Sequence, residues 1–226
     1  MTDQTTTGDQ PASRGSRLTD YTRHIEKLCQ DPGARTALRT GLRRGLDDVP
    51  RMHRFIAAWL PRGKYVPQSE QLAFYAVAAM IASQPRHQYA TTDSGEDTEE
   101  PPAAADGAPQ PRYGTSLGHA FAAAVIEGPG RDREMRESTA ESRLNLLTRQ
   151  STTGLHRHLP AAVRYLREVG VPVDWPRLLS DLIAWPADSK KISRRWLQDY
   201  YIQRSKALRD IADRADQEET VQPAAS

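Results

Sequence analysis

Apolar residues recur at every third or fourth position, and this feature constrains the fold of the chain more than any other. Leu18, Tyr21, Ile25 and Leu28 give the first example, since that spacing lines one face of a helix. No stretch shows the alternation of apolar and polar residues that is typical of a strand. The pattern therefore predicts an all-α fold, a two-lobed helical bundle of about eight to nine helices.

Helix-start signals divide this pattern into separate helices. Asp31, followed by a proline, predicts a helix to about Leu46, and Pro50 predicts the start of another. Ser69 is the predicted cap of an alanine-rich helix through Ile81, whose apolar run is shorter than the ~20 residues that span a bilayer. Further helices are predicted at about 115–125, 134–149, 152–169, 174–185 and 189–209.

Composition divides the chain into five parts. Stretches poor in apolar residues cannot bury enough surface to offset the entropy of ordering, so they are predicted to be disordered. The parts are a disordered N-terminus (1–16), an N-terminal helical lobe (17–89), an acidic Pro- and Ala-rich disordered insertion (90–113), a C-terminal helical lobe (114–209) and an acidic tail (210–226). The N-terminus has no apolar core of a secretory signal, and the single cysteine, Cys29, fits a reducing compartment. A cytoplasmic location is therefore expected.

The net charge of +2 conceals a strongly basic body. Residues 90–110 carry −6, residues 210–226 carry −4 and residues 1–16 carry −1, which leaves +13 on the rest. A compact body with this charge repels itself unless an anion binds nearby. Most of the cations are arginines in clusters, which favours phosphate partners over a merely solubilising surface.

The first basic cluster lies in residues 33–46. Its arginines recur every four positions, so they are predicted to form one ridge along a helix, and the leucines between them pack inward. Each guanidinium can bind a phosphate through two hydrogen bonds. A solvated helix face is the alternative. The ridge consists of Arg35, Arg39 and Arg43, with Arg44 beside it.

Two more basic clusters follow in the C-terminal half. Arg157 and Arg164 share a helix face, and Arg149 stands at a predicted helix end, although glutamates of the same segment can pair with them. In residues 189–206, two lysine–arginine pairs stack at four-residue spacing, in a first turn where the helix dipole disfavours cations. An anionic neighbour would explain that placement, and a basic surface helix is the alternative. The pairs are Lys190 with Arg194 and Lys191 with Arg195.

Aromatic side chains can stack on single-stranded bases, but here their positions favour the core. In the last helix, Leu197, Tyr201 and Leu208 are predicted to form the buried stripe. The five candidates are Trp175, Trp185, Trp196, Tyr200 and Tyr201, and all fall at apolar positions of amphipathic helices.

Catalytic motifs are missing from the sequence. His156 and His158 lie on different faces of a helix, which does not make a metal pair, and there is no HExxH motif or P-loop. The scattered acids suggest no metal-binding carboxylate pair. The chain is therefore predicted not to be an enzyme and to need no metal or cofactor, and a helical nuclease is the least favoured alternative.

Several of these segments, taken in order, resemble the CasB family, the small subunit of the type I-E CRISPR surveillance complex called Cascade. The resembling segments cover about residues 18–204; they are ALRTGLRRGLDDVPRMHRFIAAWLP, SLGHAFA, RLNLLTRQSTTGLHRHLPAAVRYLRE, VDWPRLLSDLIAW and RRWLQDYY. The resemblance implies an all-helical, non-catalytic subunit, present in two copies packed on the backbone and large subunits of the complex. It also implies that basic residues bind the mainly single-stranded DNA displaced by RNA-guided pairing and so stabilise the R-loop.

Matching these segments to the family implies a set of nucleic-acid-binding residues. An architectural subunit, whose basic faces meet acidic protein surfaces instead, is the alternative function. The implied residues are Arg39, Arg43, Arg44, Arg149, Arg157, Arg164, Lys190, Lys191, Arg194 and Arg195.

Overall fold

The computed structural model describes residues 14–61, 65–85, 114–126 and 134–221, and these contain eight α-helices and no strand. The predicted all-α class is confirmed. The helices are α1 (Arg14–Leu28), α2 (Pro32–Arg39), α3 (Pro50–Ile56), α4 (Gln68–Ala82), α5 (Leu117–Val125), α6 (Glu137–Thr148), α7 (Thr152–Glu168) and α8 (Trp175–Val221), with 3-10 turns at Leu46–Asp48 and Ala57–Trp59. The predicted insertion (90–113) and residues 1–13 lie outside the described residues. No helix in the described part is long and apolar enough to cross a membrane.

Three helix starts have side-chain caps, of which the sequence predicts the one at Asp31. In each, a carboxylate or hydroxyl oxygen accepts a hydrogen bond from a backbone amide of the first turn, which would otherwise lack a partner. The pairs are Asp31 with Ala34 at 2.7 Å, Ser116 with His119 at 3.3 Å, and Asp174 with Arg177 at 2.9 Å.

The predicted helix from Asp31 to Leu46 is wrong in length, because α2 ends at Arg39. The chain then turns through Gly41, which packs so closely that an added Cβ would lie 2.5 Å from the sulfur of Met52. Arg43 follows with a left-handed φ of 61°. The predicted ridge of stacked arginines therefore does not exist, since Arg43 lies beyond the helix.

One smaller prediction about helices is also corrected. Ser69 does not cap α4, because the helix already begins at Gln68, after Pro67. Helix α7 passes through Pro160 without interruption.

Helix α8 is a hairpin of two arms, 175–187 and 189–221. Asp188 has a non-helical backbone (φ −119°, ψ 20°), two residues after Pro186. The rings of Trp185 and Trp196 lie 5.2 Å apart, whereas a straight helix would separate these positions by about 16 Å. The arms therefore fold back on each other, and the predicted boundary between two helices is confirmed. The outer arm, 189–221, continues past the predicted end near Arg209.

All eight helices contribute to one continuous hydrophobic core. Its largest fully buried side chains include Trp185, Trp196, Tyr21 and Tyr200. Helix α5 packs directly on the backbone of the outer arm, because a Cβ on Gly118 would lie 1.8 Å from the carbonyl oxygen of Trp196. This contact fixes the rotation of the outer arm and therefore the direction of its basic face.

Candidate nucleic-acid interface

Three of the predicted cations line one groove between the end of α6 and the outer arm of α8. Arg149 follows the last turn of α6, and Lys190 and Arg194 lie one turn apart on the arm. The groove has a volume of about 830 Å³, and none of its described lining residues is acidic. We call it the α6–α8 groove.

Hydrogen bonds to the backbone hold the two walls of the α6–α8 groove together. The hydroxyl of Ser193 donates to the carbonyl of Thr148 at 3.0 Å. The indole N–H of Trp185 donates to the carbonyl of Gln150 at 3.3 Å. Since the arms of α8 are packed on each other, both contacts tie the end of α6 to the same rigid hairpin. The spacing of the three cations is therefore set by the core.

A second groove lies between the turn after α2 and the first half of α7. Arg43 and Arg44 reach it from the turn, and Arg157 reaches it from α7. Its volume is about 430 Å³, and its floor includes Leu42 and Pro160. We call it the α2–α7 groove. It joins cations that the sequence placed in two separate clusters.

All six groove cations have exposed side chains. Within the described part of the chain, no hydrogen bond or ion pair engages them, so their charges are available to an anion. A guanidinium or ammonium without a carboxylate partner offers its full set of donors to phosphate oxygens. The six are Arg43, Arg44, Arg149, Arg157, Lys190 and Arg194.

The two grooves flank the start of α7. Gln150 lines the α6–α8 groove and Thr153 lines the α2–α7 groove. Three Cα–Cα steps separate these residues, so their Cα atoms lie at most about 11 Å apart. The first turn of α7 between them carries the positive end of a helix dipole. The two grooves therefore lie next to each other at the start of α7.

Arg195, one of the predicted contact residues, has a carboxylate partner. Its guanidinium pairs with the carboxylate of Asp181, which is only 4% exposed. The same carboxylate accepts a hydrogen bond from the indole of Trp196 at 2.7 Å and lies 3.3 Å from Nε of Arg177. Arg195 therefore joins the two arms of α8, a structural role that the sequence did not predict.

Arg35, at the start of the predicted ridge, also has a structural role. Its guanidinium donates to the carbonyl of Ala82 at 3.1 Å and to the carbonyl of Gln84. These acceptors lie at the end of α4, where helical carbonyls lack partners. Arg35 thus caps α4 from α2.

Three other predicted residues lie in neither groove. Arg39 is exposed at the end of α2. The Nε of Arg164 lies 3.4 Å from a carboxylate oxygen of Glu168, and this pair is so exposed that it contributes little to stability. Lys191 lines a separate pocket beside Asp181 and Asp188. These three cations therefore lie outside the two grooves that hold the other six.

Tyr201, which the sequence pattern predicted to be buried, is exposed in the structure. Its side chain is 48% exposed in the α6–α8 groove, and Leu208 is 55% exposed, so the predicted buried stripe is wrong. The buried stripe is Ile192, Trp196 and Tyr200, which also recur every four residues. The four-residue spacing of this stripe was the sequence signal for its burial. Tyr200 and Tyr201 lie about 100° apart around the helix, so they cannot both face the core.

His156 lies beside the α2–α7 groove but is buried, at 8% exposure. Neither ring nitrogen has a hydrogen-bond partner among the described residues. Burial penalises the charged form and lowers the pKa of His156 from 6.5 to about 4. The described residues also contain no cluster of three His, Cys, Asp or Glu side chains that could hold a metal.

Comparison with known proteins gives a family and a set of similar structures. The family model of CRISPR-associated protein Cse2 matches residues 34–201. A chain of a CRISPR RNA-guided surveillance complex is 31% identical, with a TM-score of 0.68, and the match covers 88% of this chain and 99% of that one. A chain of such a complex in a pre-nicking state is also 31% identical, with a TM-score of 0.69, over 87% and 98% of the two chains.

Crystal structures of CasB proteins share the fold at lower identity. CasB from Thermus thermophilus is 23% identical with a TM-score of 0.55, over 83% of this chain and 97% of that one. CasB from M. ruber is 22% identical with a TM-score of 0.59, over 87% and 97%. No curated protein sequence matches this chain. The predicted resemblance to CasB is confirmed, and the protein belongs to the CRISPR-associated Cse2 family.

Proposed function

We propose that the protein is a non-catalytic small subunit of a cytoplasmic type I-E Cascade complex and binds the DNA strand displaced by guide pairing. Membership of the Cse2 family and 31% identity to a chain of an RNA-guided surveillance complex support this assignment. Its protein partners are then the backbone and large subunits and a second copy of itself.

The single observation that carries the nucleic-acid role is the pair of grooves. Six exposed cations line them, and no described carboxylate neutralises these charges. R-loop formation exchanges one duplex for another of nearly equal stability, so a few backbone contacts to the displaced strand shift the balance. Phosphate contacts carry no sequence information, which suits a strand whose sequence changes with every target.

The experiment that tests this role compares assembly with R-loop formation in the full complex. The Arg149→Ala/Arg194→Ala double variant should assemble normally and form R-loops less stably, by about tenfold at physiological salt. The matched control is Arg23→Ala/Lys27→Ala, which removes the same charge from the exposed side of α1. Equal R-loop stability in both variants contradicts the proposal.

A purely architectural role is the second candidate, and exposed apolar residues on the outer arm favour it. Ile202 is 60% exposed, and Leu208 and Ile211 are each 55% exposed. Such residues suit a contact with another subunit. If this role is the only one, the groove double variant fails to assemble, whereas under the main proposal only R-loop stability falls.

A further inference from the structure

We propose that Tyr201 is a base-stacking residue, so that the α6–α8 groove binds strands with unpaired bases while the α2–α7 groove contacts phosphates alone. This inference rests on the proposed function, and it names the part of the strand that each groove contacts.

The placement of Tyr201 differs from that of every other aromatic candidate. Trp175, Trp185, Trp196 and Tyr200 are at most 5% exposed, whereas Tyr201 is 48% exposed. It lies on the same face of the outer arm as Lys190 and Arg194, because positions 190, 194, 197 and 201 follow helical spacing. The groove therefore has cations along one part and an aromatic ring at one end.

Neighbouring groups hold the ring of Tyr201 in place. Its centroid lies 5.1 Å from that of Tyr200, with the rings at 76°, in an edge-to-face contact. Burial and then the nearby carboxylate of Glu141 raise the pKa of Tyr201. A ring that is already oriented loses little freedom when a base stacks on it.

The charges around the groove determine whether the backbone or the bases of a bound strand face Tyr201. Glu141 lies near the hydroxyl of Tyr201 and disfavours phosphate at that end of the groove, whereas the nearby Glu137 is paired with Arg204 at 3.0 Å. Arg149, Lys190 and Arg194 attract phosphate to the other part. The backbone of a strand therefore follows the cations, and its bases turn toward Tyr201.

The chemistry of the groove favours nucleic acid over a protein partner. The lining of the groove combines three cations with an exposed tyrosine and includes no described acid, and this combination is typical of surfaces that bind single strands. The α2–α7 groove has three arginines but no tyrosine, tryptophan or phenylalanine among its described lining residues. Only the α6–α8 groove can therefore distinguish unpaired bases from a bare backbone.

The test uses the full chain and three probes of equal length: oligothymidylate, an abasic oligodeoxynucleotide and a DNA duplex. The wild type should bind oligothymidylate about tenfold more tightly than the abasic strand, since stacking on an aromatic side chain is sequence-tolerant but needs a base. This comparison needs no variant. Equal affinity for the two strands overturns the inference.

Variants then assign the preference to one side chain. Tyr201→Leu should lower the affinity for oligothymidylate by about tenfold and leave the abasic strand and the duplex unchanged. Tyr201→Phe keeps the ring and should restore binding. The matched control is Tyr65→Leu, which changes a tyrosine that is 89% exposed outside the groove and should have no effect.

Salt dependence separates stacking from charge. Tyr201→Leu should leave the slope of log K against log salt unchanged, because no counterion is released by a stacked base. Equal losses on all three probes would mean that Tyr201 only supports the fold, and failed assembly with intact DNA binding would mean that it contacts a protein subunit. Either result overturns the inference.

The outcome for the proposed function is measured separately with Arg149→Ala/Arg194→Ala. If that variant loses affinity and Tyr201→Leu does not, the groove binds nucleic acid and only the stacking role is wrong. If neither variant loses affinity for any probe, the proposed function fails as well.

Discussion

Two adjacent arginines, Arg194 and Arg195, have opposite roles because they lie about 100° apart on one helix. Arg194 faces the α6–α8 groove without a partner among the described residues, and Arg195 pairs with the buried Asp181. The sequence places both in one cluster, since spacing alone does not reveal which carboxylate a distant part of the chain will supply.

This difference predicts opposite effects of the two alanine substitutions. Arg195→Ala leaves the buried Asp181 short of a donor and should lower the free energy of unfolding by about 1–3 kcal/mol. Arg194→Ala should change it by less than about 0.5 kcal/mol and weaken DNA binding instead. Chemical denaturation and DNA titration of both variants measure this. Loss of stability in Arg194→Ala with none in Arg195→Ala would reverse the assignment.

His156 predicts how stability depends on pH. Its folded pKa of about 4 lies below the unfolded value of 6.5, so the unfolded chain binds a proton that the folded protein does not between these values. Stability is therefore complete above about pH 6.5 and falls as the pH drops toward 4, by about 3 kcal/mol in all.

The variant His156→Leu should remove this part of the pH dependence. Unfolding free energies at pH 7.5 and pH 4.5 should differ less in the variant than in the wild type, by about 2–3 kcal/mol. An identical difference in both proteins would show that His156 does not carry the effect.

At the scale of helices, the close contact between α5 and the outer arm sets the direction of the arm's basic face. Ser116 caps α5 and donates a hydrogen bond to Asp199 of the outer arm, and Gly118 lets the two backbones touch. The sequence predicted a helix over about 115–125 from local pattern. It did not predict the need for glycine, because that need comes from a helix about 80 residues away in the chain.

Gly118→Ala should therefore destabilise the protein despite the helix preference of alanine. The added methyl would lie 1.8 Å from a backbone oxygen, which forces α5 away from the arm at a cost of about 1–3 kcal/mol. Gly154→Ala is the control, because its Cβ would meet only the movable side chain of Gln150. Thermal unfolding should show a lower Tm for the first variant alone. An unchanged Tm would contradict the packing described for α5.

Helix α2 shows where local pattern misled. Leucines and arginines continue at helical spacing to Leu46, which favours one long helix. The close packing of Gly41 on Met52 and the left-handed Arg43 end it early. Tertiary contact thus overrides spacing, and it directs Arg43 and Arg44 toward α7 rather than along α2.

At the scale of the whole molecule, helix content and most helix starts followed from the sequence, since caps and periodicity are local. The grooves did not, because each joins cations from two separate helices or turns. Six of the ten predicted contact residues line a groove, and Arg195 is tied to Asp181. Burial distinguishes Tyr200, which is buried as predicted, from its neighbour Tyr201, which the pattern wrongly predicted to be buried.

We propose that six cations, unpaired within the described parts of the chain, form one binding track for a DNA strand. Six phosphate contacts to a single strand give a log–log salt slope of roughly −4, and removing the three cations of either groove should reduce it to about −2. The measurement is the affinity for a long single strand from low to high salt, for the wild type and for each groove triple variant. A slope near zero in the wild type, or an unchanged slope in either triple variant, would contradict the account.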